Sequence, residues 1–222
     1  MNKKKSLQPR DAATLVLYHK DNNNLKVLMG CRDSKHAFMP NRYVFPGGAV
    51  DPADRFVKPA RELHSDVWQN LAKSCSRSRA RALAAAAIRE TWEETGLRVA
   101  KASPPPLGII QNSWKEFHES GLSPDLSALD YVCRAITPPG RTRRFNARFF
   151  IAQSLSAKGN LAGSSELSDL KWISIDDALT LPIPDITSYV LKELPGWIKA
   201  NRPRKEIPLM KRVKRSFVRI IE

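Results

Sequence analysis

Three glutamates, Glu90, Glu93 and Glu94, stand within five residues of one another in the stretch Arg89–Leu97. At about 100° per helical residue they fall at roughly 0°, 300° and 40° around a helix, so they share one face. Carboxylates this close repel one another unless a positive charge lies between them, and hard cations such as Mg²⁺ or Mn²⁺ prefer carboxylate oxygens. The spacing is typical of a cation site for phosphate chemistry; a solvated acidic helix face is the alternative.

The glutamates need a helix with an apolar back. Alanines at 82 and 84–87, with Ile88 and Trp92, supply that back, and they predict a helix from about Arg79 to Thr95. Gly96 is expected to end it as a C′ glycine.

A second stretch upstream contains two consecutive glycines. The short strand predicted at Tyr43–Phe45 leads into Pro46-Gly47-Gly48. Glycines there permit a close backbone approach to a ligand, and a simple tight turn is the alternative.

The glycine turn and the acidic helix together resemble the Nudix box of the Nudix hydrolases, Gly-x5-Glu-x7-Arg-Glu-U-x-Glu-Glu-x-Gly-U with U apolar. Gly48 opens the box, Asp54 takes the first Glu position, and Arg89–Leu97 supply the rest. Asp at 54 departs from the pattern, and residues 55–88 stand where the pattern has x7. This insertion, with Ile136–Pro139 and Arg144–Phe150, resembles the split-box branch typified by the mammalian Nudix motif 19 coenzyme A diphosphatase.

The resemblance implies an α/β/α sandwich with a mixed sheet and a helical insertion within the Nudix box. It also implies metal-dependent hydrolysis of a diphosphate bond in a nucleoside-diphosphate-linked substrate, with coenzyme A or an acyl-coenzyme A as the expected class. ADP-ribose, a dinucleotide or capped RNA are alternative substrates. A non-catalytic domain that binds RNA or another anion is an alternative of a different kind.

The resemblance also assigns site residues. The metal ligands, for Mg²⁺ or Mn²⁺, are Glu90, Glu93, Glu94 and the Gly47 carbonyl. Glu90 is a ligand or a base, and Arg89 orients Glu93 or Glu90. Glu166, in the loop before the last strand of the domain, is a further metal ligand or general base, with Asp169 as its substitute.

Several arginines are candidate substrate-binding residues. Arg141, Arg143 and Arg144 follow the turn Pro138-Pro139-Gly140, and their guanidinium groups match phosphate oxygens. Arg32 lies in a stretch that also resembles the split-box branch. An exposed basic loop without a ligand is the alternative for residues 141–144.

Composition limits the partners and the compartment. The 222 residues carry a formal charge of +15, which favours anionic partners such as nucleotides, coenzyme A phosphates, RNA or acidic lipid. Three widely spaced cysteines suit a reducing compartment, and no apolar run is long enough to span a bilayer, so we expect a cytoplasmic protein. An anionic diphosphate-containing small molecule is the expected partner; nucleic acid and a second copy of the chain are further partner classes.

We expect three regions: a loose segment 1–10, a Nudix domain 11–200 with a helical insertion 55–80, and a basic segment 201–222. The last could be a docking strand, a docking helix or an anion contact. Other elements follow from local patterns. They are a hairpin of Ala12–Tyr18 and Leu25–Gly30, a helix over Pro59–Lys73, strands at Leu97–Ala100, Leu107–Gln111, Tyr131–Thr137, Asn146–Ala152 and Leu170–Ser174, and helices at Ser113–Glu119, Ile175–Leu181 and Asp185–Ala200, the last broken near Pro195.

Overall fold

The computed structural model describes residues 7–21, 24–34, 39–200, 204, 206–213 and 216–221. The strands in these ranges are β1 (Arg10–Asp21), β2 (Asn24–Arg32), β3 (Tyr43–Val44), β4 (Gly47–Ala49), β5 (Arg98–Ala102), β6 (Leu122–Pro124), β7 (Asp130–Ile136), β8 (Phe145–Gln153), β9 (Ala157–Lys158), β10 (Leu167–Ser174), β11 (Pro208–Val213) and β12 (Ser216–Ile221). The helices are α1 (Ser65–Ala72), α2 (Arg77–Thr95), α3 (Asn112–Glu119), α4 (Ile175–Thr180) and α5 (Asp185–Lys199).

Nine of the described strands form one mixed sheet in the order β10-β2-β1-β8-β7-β11-β12, with β3 on β2 and β4 on β1. β1 pairs in parallel with β8 and antiparallel with β2, which confirms the predicted hairpin. A smaller sheet has the order β6-β5-β9.

Helices cover both faces of the large sheet. Leu15 and Leu17 point towards a core that contains α1, α2 and α3, whereas Val16 packs with α4 and α5 on the other face. This alternation is the period-2 pattern of a strand buried on both sides. The predicted α/β/α sandwich with a mixed sheet is therefore confirmed.

Helix α2 positions the acidic face. The Ser76 hydroxyl caps its start by accepting from the Arg79 amide at 3.4 Å. Gly96, at φ 76°, ends it in the left-handed conformation that the sequence predicted for this glycine. The alanines and Ile88 are buried against the sheet, so the opposite side of the helix is free for the glutamates.

The insertion contains a shorter helix than Pro59–Lys73, because α1 begins only at Ser65. Residues before it are extended: the Ala60 amide donates to the Pro124 carbonyl at 2.9 Å, and the Leu126 amide donates to the Arg61 carbonyl at 3.0 Å. Leu63, Val67 and Leu71 are all buried in the α2 core, so the apolar spacing was correct although the helix boundary was wrong.

Two other sequence predictions were wrong. Leu107–Gln111 forms no strand, because Pro104–Pro106 lack amide donors and the following loop exposes Leu107 to solvent. Helix α5 continues through Pro195, since one missing amide costs a single hydrogen bond while buried Leu191 and Leu194 hold the helix against the sheet.

The C-terminal segment joins the sheet. β11 pairs in parallel with β7, and β12 pairs with β11, so the described part of 201–222 takes the docking-strand alternative. Arg204 connects it to the domain: its Nη2 donates to Asp130 Oδ2 at 2.7 Å and to the Trp197 carbonyl at 2.6 Å.

Candidate active site

The acidic face of α2 packs directly against the glycine turn. The Gly47 amide donates to Glu94 Oε2 at 2.8 Å. A Cβ at position 48 would lie 2.4 Å from Glu90 Oε2, and a Cβ at position 47 would lie 2.5 Å from the Ala13 carbonyl oxygen. Only glycine allows this approach at both positions, so the turn and the glutamates form one structural unit.

Arg89 connects the remaining carboxylates. Its Nη1 lies 2.7 Å from Glu93 Oε2 and 2.9 Å from Glu90 Oε1. Its Nη2 donates to the Ala49 carbonyl at 3.0 Å, on the strand that carries the glycine turn. One guanidinium group thereby fixes two glutamates relative to the turn. We call Glu90, Glu93 and Glu94 the carboxylate wall.

The Asp54 carboxylate fixes the position of the Arg89 guanidinium. Its carboxylate is fully buried and accepts from Arg89 Nε at 2.9 Å and from Arg89 Nη2 at 3.1 Å. It also accepts from the Asp51 amide at 2.8 Å and from Trp114 Nε1 at 3.1 Å. Both oxygens of Asp54 are thus used to hold the arginine, and the Asp-for-Glu departure from the family pattern leaves this contact intact.

Sequence reasoning missed Trp114. It lies in α3, is almost fully buried, and contacts Phe117 and His118. No local spacing relates Trp114 to Asp54, which is 60 residues away. The only signal was the apolar face of the helix predicted at Ser113–Glu119.

Burial raises the pKa of all three glutamates of the carboxylate wall, because the positive charge near them does not offset the loss of water. Burial raises the pKa of Glu94 to about 8, and nearby Glu90 adds to the shift against the hydrogen bond from Gly47. Burial likewise raises the pKa of Glu90 to about 7 against the charge of Arg89, and it raises the pKa of Glu93. Burial opposes the charge of Arg89, but Asp54 and the glutamates together raise its pKa.

Such a donor set suits a hard divalent cation, because buried carboxylates with too little neutralising charge gain from one. Glu94 Oε1 accepts no hydrogen bond from any residue in the described ranges. In those ranges, however, no three acidic, histidine or cysteine side chains already converge as a complete ligand set. The oxygens are instead turned towards Arg89 and Gly47.

A cleft of about 710 Å³ adjoins the glycine turn. Arg32, Arg42 and Arg141 line it together with Gly47 and Gly48. Its other lining residues are mostly apolar, although the acid Asp185 also lines it. Many of the apolar ones lie in β7, in β8, in the turn between them, and around the start of α5: Ala135, Ile136, Pro138, Phe145, Ala147, Phe149, Ile183, Pro184 and Ile186. The cleft therefore combines a cationic side with a long apolar wall.

The predicted arginines fall into two groups. The first group contains Arg32 and Arg141, which line the cleft, and Arg143, whose charge acts on Arg32. We call Arg32, Arg141 and Arg143 the arginine rim. Arg144 differs, because its guanidinium donates to the Thr137 carbonyl at 3.0 Å and to the Leu7 carbonyl.

Glu166 lies close enough to Arg32 for their charges to interact. Burial lowers the pKa of Arg32, whereas the charges of Glu94, Glu166 and Glu90 act to raise it. The Glu166 carbonyl also accepts from the Asp33 amide at 3.3 Å, which fixes the loop beside the end of β2. The charge of Glu166 also acts to raise the pKa of Glu94, so the structure brings Glu166 near the carboxylate wall.

Asp169, the substitute for Glu166, is used differently. Its carboxylate accepts from the Tyr43 hydroxyl and from Lys171 Nζ, the latter at 2.6 Å. It adopts φ 47° at an irregularity in β10. Asp169 therefore links β10 to Tyr43 of β3; both strands pair with β2.

The NUDIX domain family model matches residues 8–194. The chain therefore belongs to the NUDIX domain family. A curated relative, putative nudix hydrolase 7 of Caenorhabditis elegans, is 28% identical over 209 residues, and the match covers 85% of this chain and 62% of that protein. The chain thus spans about 62% of the length of this relative.

Solved structures agree with the family. A NUDIX hydrolase from Alicyclobacillus acidocaldarius is 29% identical, with a TM-score of 0.66 over 84% of this chain and 91% of the other. The NUDIX domain of Shewanella oneidensis NrtR complexed with ADP ribose shares the fold at 15% identity, with a TM-score of 0.51 over 90% and 94% of the two chains. Within the described residues, no helix has the length and apolar character to cross a membrane.

Proposed function

We propose that this chain hydrolyses a diphosphate bond in a nucleoside-diphosphate-linked substrate, with Mg²⁺ or Mn²⁺ held by the carboxylate wall and the Gly47 carbonyl. One observation carries the proposal: three glutamates, fixed by Arg89 and Gly47, pack against a glycine turn that lines a cleft together with Arg32 and Arg141. A divalent ion bound there would neutralise phosphoryl oxygens and lower the pKa of a water molecule.

The chain's own residues position the reactants. Arg89 holds Glu90 and Glu93, and the Gly47 amide holds Glu94, so these carboxylates are ordered before substrate arrives. The arginine rim binds the diphosphate, since guanidinium groups pair with phosphate oxygens. Glu90 or Glu166 accepts the proton of the attacking water at a carboxylate oxygen. Phosphoryl transfer needs mainly this positioning and charge stabilisation.

We infer that coenzyme A or an acyl-coenzyme A is the substrate. The resemblance to the split-box branch supports this class, and so does the apolar wall formed by Ile136, Phe145 and Ile186, which offers a surface for a pantetheine or acyl arm. We propose the division into residues 11–200 with an insertion at 55–80 and a basic segment 201–222 that extends the sheet of the domain through β11 and β12. Three free cysteines suit a reducing, cytoplasmic setting.

The test is a substrate panel. Purified protein is incubated with coenzyme A, an acyl-coenzyme A, ADP-ribose and a dinucleoside polyphosphate, with Mg²⁺, Mn²⁺ or a chelator, and mass spectrometry identifies the products. We expect metal-dependent release of 3′,5′-ADP and a phosphopantetheine. Cleavage of ADP-ribose alone would reject the coenzyme A assignment and keep the chemistry. Salt-sensitive RNA binding with no cleavage of any substrate would favour the non-catalytic alternative.

A further inference from the structure

The loop between β5 and α3 carries two exposed apolar side chains, Leu107 and Ile109, and a third, Phe56, follows the helical turn at Pro52–Arg55. Leu107 is 90% exposed, Ile109 is 92% exposed and Phe56 is 65% exposed. Phe56 and Ile109 line one shallow recess with Pro106, and Lys58 Nζ donates to the Leu107 carbonyl at 2.7 Å. The three side chains therefore belong to one surface feature, which we call the apolar tip (Phe56, Leu107 and Ile109).

The apolar tip protrudes from the domain. Between Leu107 and Ile109, a Cβ at Gly108 would meet no heavy atom within 4 Å. The loop is nevertheless anchored, because Ile110 packs against the α2 core and Trp114 hydrogen-bonds Asp54. Two large aliphatic side chains on an anchored, protruding loop expose apolar surface that a partner can cover.

Cations border the apolar tip. Arg55 precedes Phe56, Lys58 contacts the loop, and Lys101 lies in the strand that leads into it; all three are exposed. None of the three forms an ion pair with a described residue. Acids nearby already have partners: Glu62 pairs with Arg81, Glu116 with Arg98, and Glu119 with Lys115. The region therefore presents apolar side chains inside a positive surround.

We propose that the apolar tip docks on an anionic lipid bilayer, with Leu107 and Ile109 entering the headgroup boundary and the bordering cations contacting lipid phosphates. A fluid bilayer accepts a convex apolar loop, and negative lipid attracts the cations. A second copy fits less well, because it would bring together two chains of formal charge +15. This docking is independent of the proposed hydrolysis.

The test is sedimentation of the full chain with phosphatidylcholine vesicles, with and without phosphatidylserine. Leu107→Ser and Ile109→Ser are compared with Leu155→Ser, a change at another leucine that is 85% exposed. Because basic segments elsewhere attract anionic vesicles by charge, the comparison is made at several salt concentrations. Melting temperatures establish that all variants fold.

We expect binding that requires phosphatidylserine and weakens roughly tenfold for each variant of the apolar tip, since an aliphatic side chain no longer leaves water. Leu155→Ser should bind as the natural chain does, and Lys101→Gln should weaken binding by a smaller factor. Equal binding by all leucine and isoleucine variants, or no vesicle binding at all, would overturn the proposal. So would concentration-dependent self-association in sedimentation velocity that Ile109→Ser abolishes.

Discussion

The carboxylate wall and the arginine rim lie near the same glycine turn but are held in different ways. Each glutamate of the wall contacts Arg89 or Gly47, and Arg89 itself is fixed by fully buried Asp54. In the rim, Arg141 and Arg143 stand on an exposed turn between β7 and β8. The difference teaches that the groups proposed for chemistry are preorganised by a buried network. Of the groups proposed for substrate binding, Arg32 is partly buried, whereas Arg141 and Arg143 lie on the surface, where specificity can vary without loss of the fold.

Glu94→Gln is expected to have the largest effect. Glutamine can still accept from the Gly47 amide, but it removes a negative charge from the wall, so turnover should fall roughly 10³-fold or more with the fold intact. Steady-state kinetics at saturating Mg²⁺ and a thermal melt measure both quantities. A mutant that turns over normally would show that the wall is not the reactive centre.

Asp54→Asn tests whether the buried support matters for the reaction. The substitution removes the fully buried charge partner of Arg89 and leaves only the more exposed Glu90 and Glu93, so unfolding free energy should fall by about 3 kcal/mol. We expect kcat to fall as well, because Arg89 then orients Glu90 and Glu93 less well. Denaturant titration and kcat of the folded protein check this. Asp130→Asn, at the buried ion pair with Arg204, is the matched control and should destabilise without lowering kcat.

Arg141→Gln tests the arginine rim. Loss of one charged phosphate contact should raise KM roughly tenfold and leave kcat nearly unchanged. Arg144→Gln should instead lower stability, because this arginine donates to the carbonyls of Thr137 and Leu7. A fall in kcat with unchanged KM for Arg141→Gln would contradict the assignment of Arg141 to substrate binding rather than to the chemical step.

Trp114→Phe tests the far end of the buried network. Phenylalanine keeps most of the ring but removes the donor to Asp54, so we expect a loss of about 1 kcal/mol in stability and a modest fall in kcat. Trp68→Phe, at a tryptophan stacked on Arg77, supplies the control for ring size. Equal kcat for both variants would show that the hydrogen bond from Trp114 to Asp54 does not help to position the carboxylate wall.

His118 should give the smallest effect, through pH. Burial lowers its pKa in the folded protein, and the Ser123 hydroxyl lies 3.2 Å from its Nδ1. Protonation therefore favours the unfolded chain, so the His118 contribution is present above the unfolded-state value of about 6.5 and is lost as pH falls below it. Unfolding free energies between pH 7.5 and 5.5 should decline less steeply for His118→Gln than for the natural chain.

Local sequence was sufficient for the elements with strong periodic or turn signals. The hairpin of β1 and β2, the helix α2 and its terminal Gly96 follow from apolar spacing and backbone freedom. The conformations of the loop after Pro106 and of the extended residues 59–64 could not be predicted in this way. Long-range backbone hydrogen bonds determine residues 59–64, and solvent exposure accompanies the loop. Apolar residues in a short run do not by themselves distinguish a strand from a loop.

What the sequence by itself determined is the chemical type of the site: carboxylates on one helix face, a glycine turn able to approach them, and membership of the NUDIX family through that pattern. Tertiary structure alone decided how these groups are held. It brought Trp114 and Arg89 to the same carboxylate oxygen of Asp54, separated Arg144 from Arg141, and brought Glu166 towards Arg32. The reason is physical: helix and turn geometry depend on neighbours in the chain, whereas buried hydrogen bonds and charges depend on residues that meet only when the sheet and helices pack.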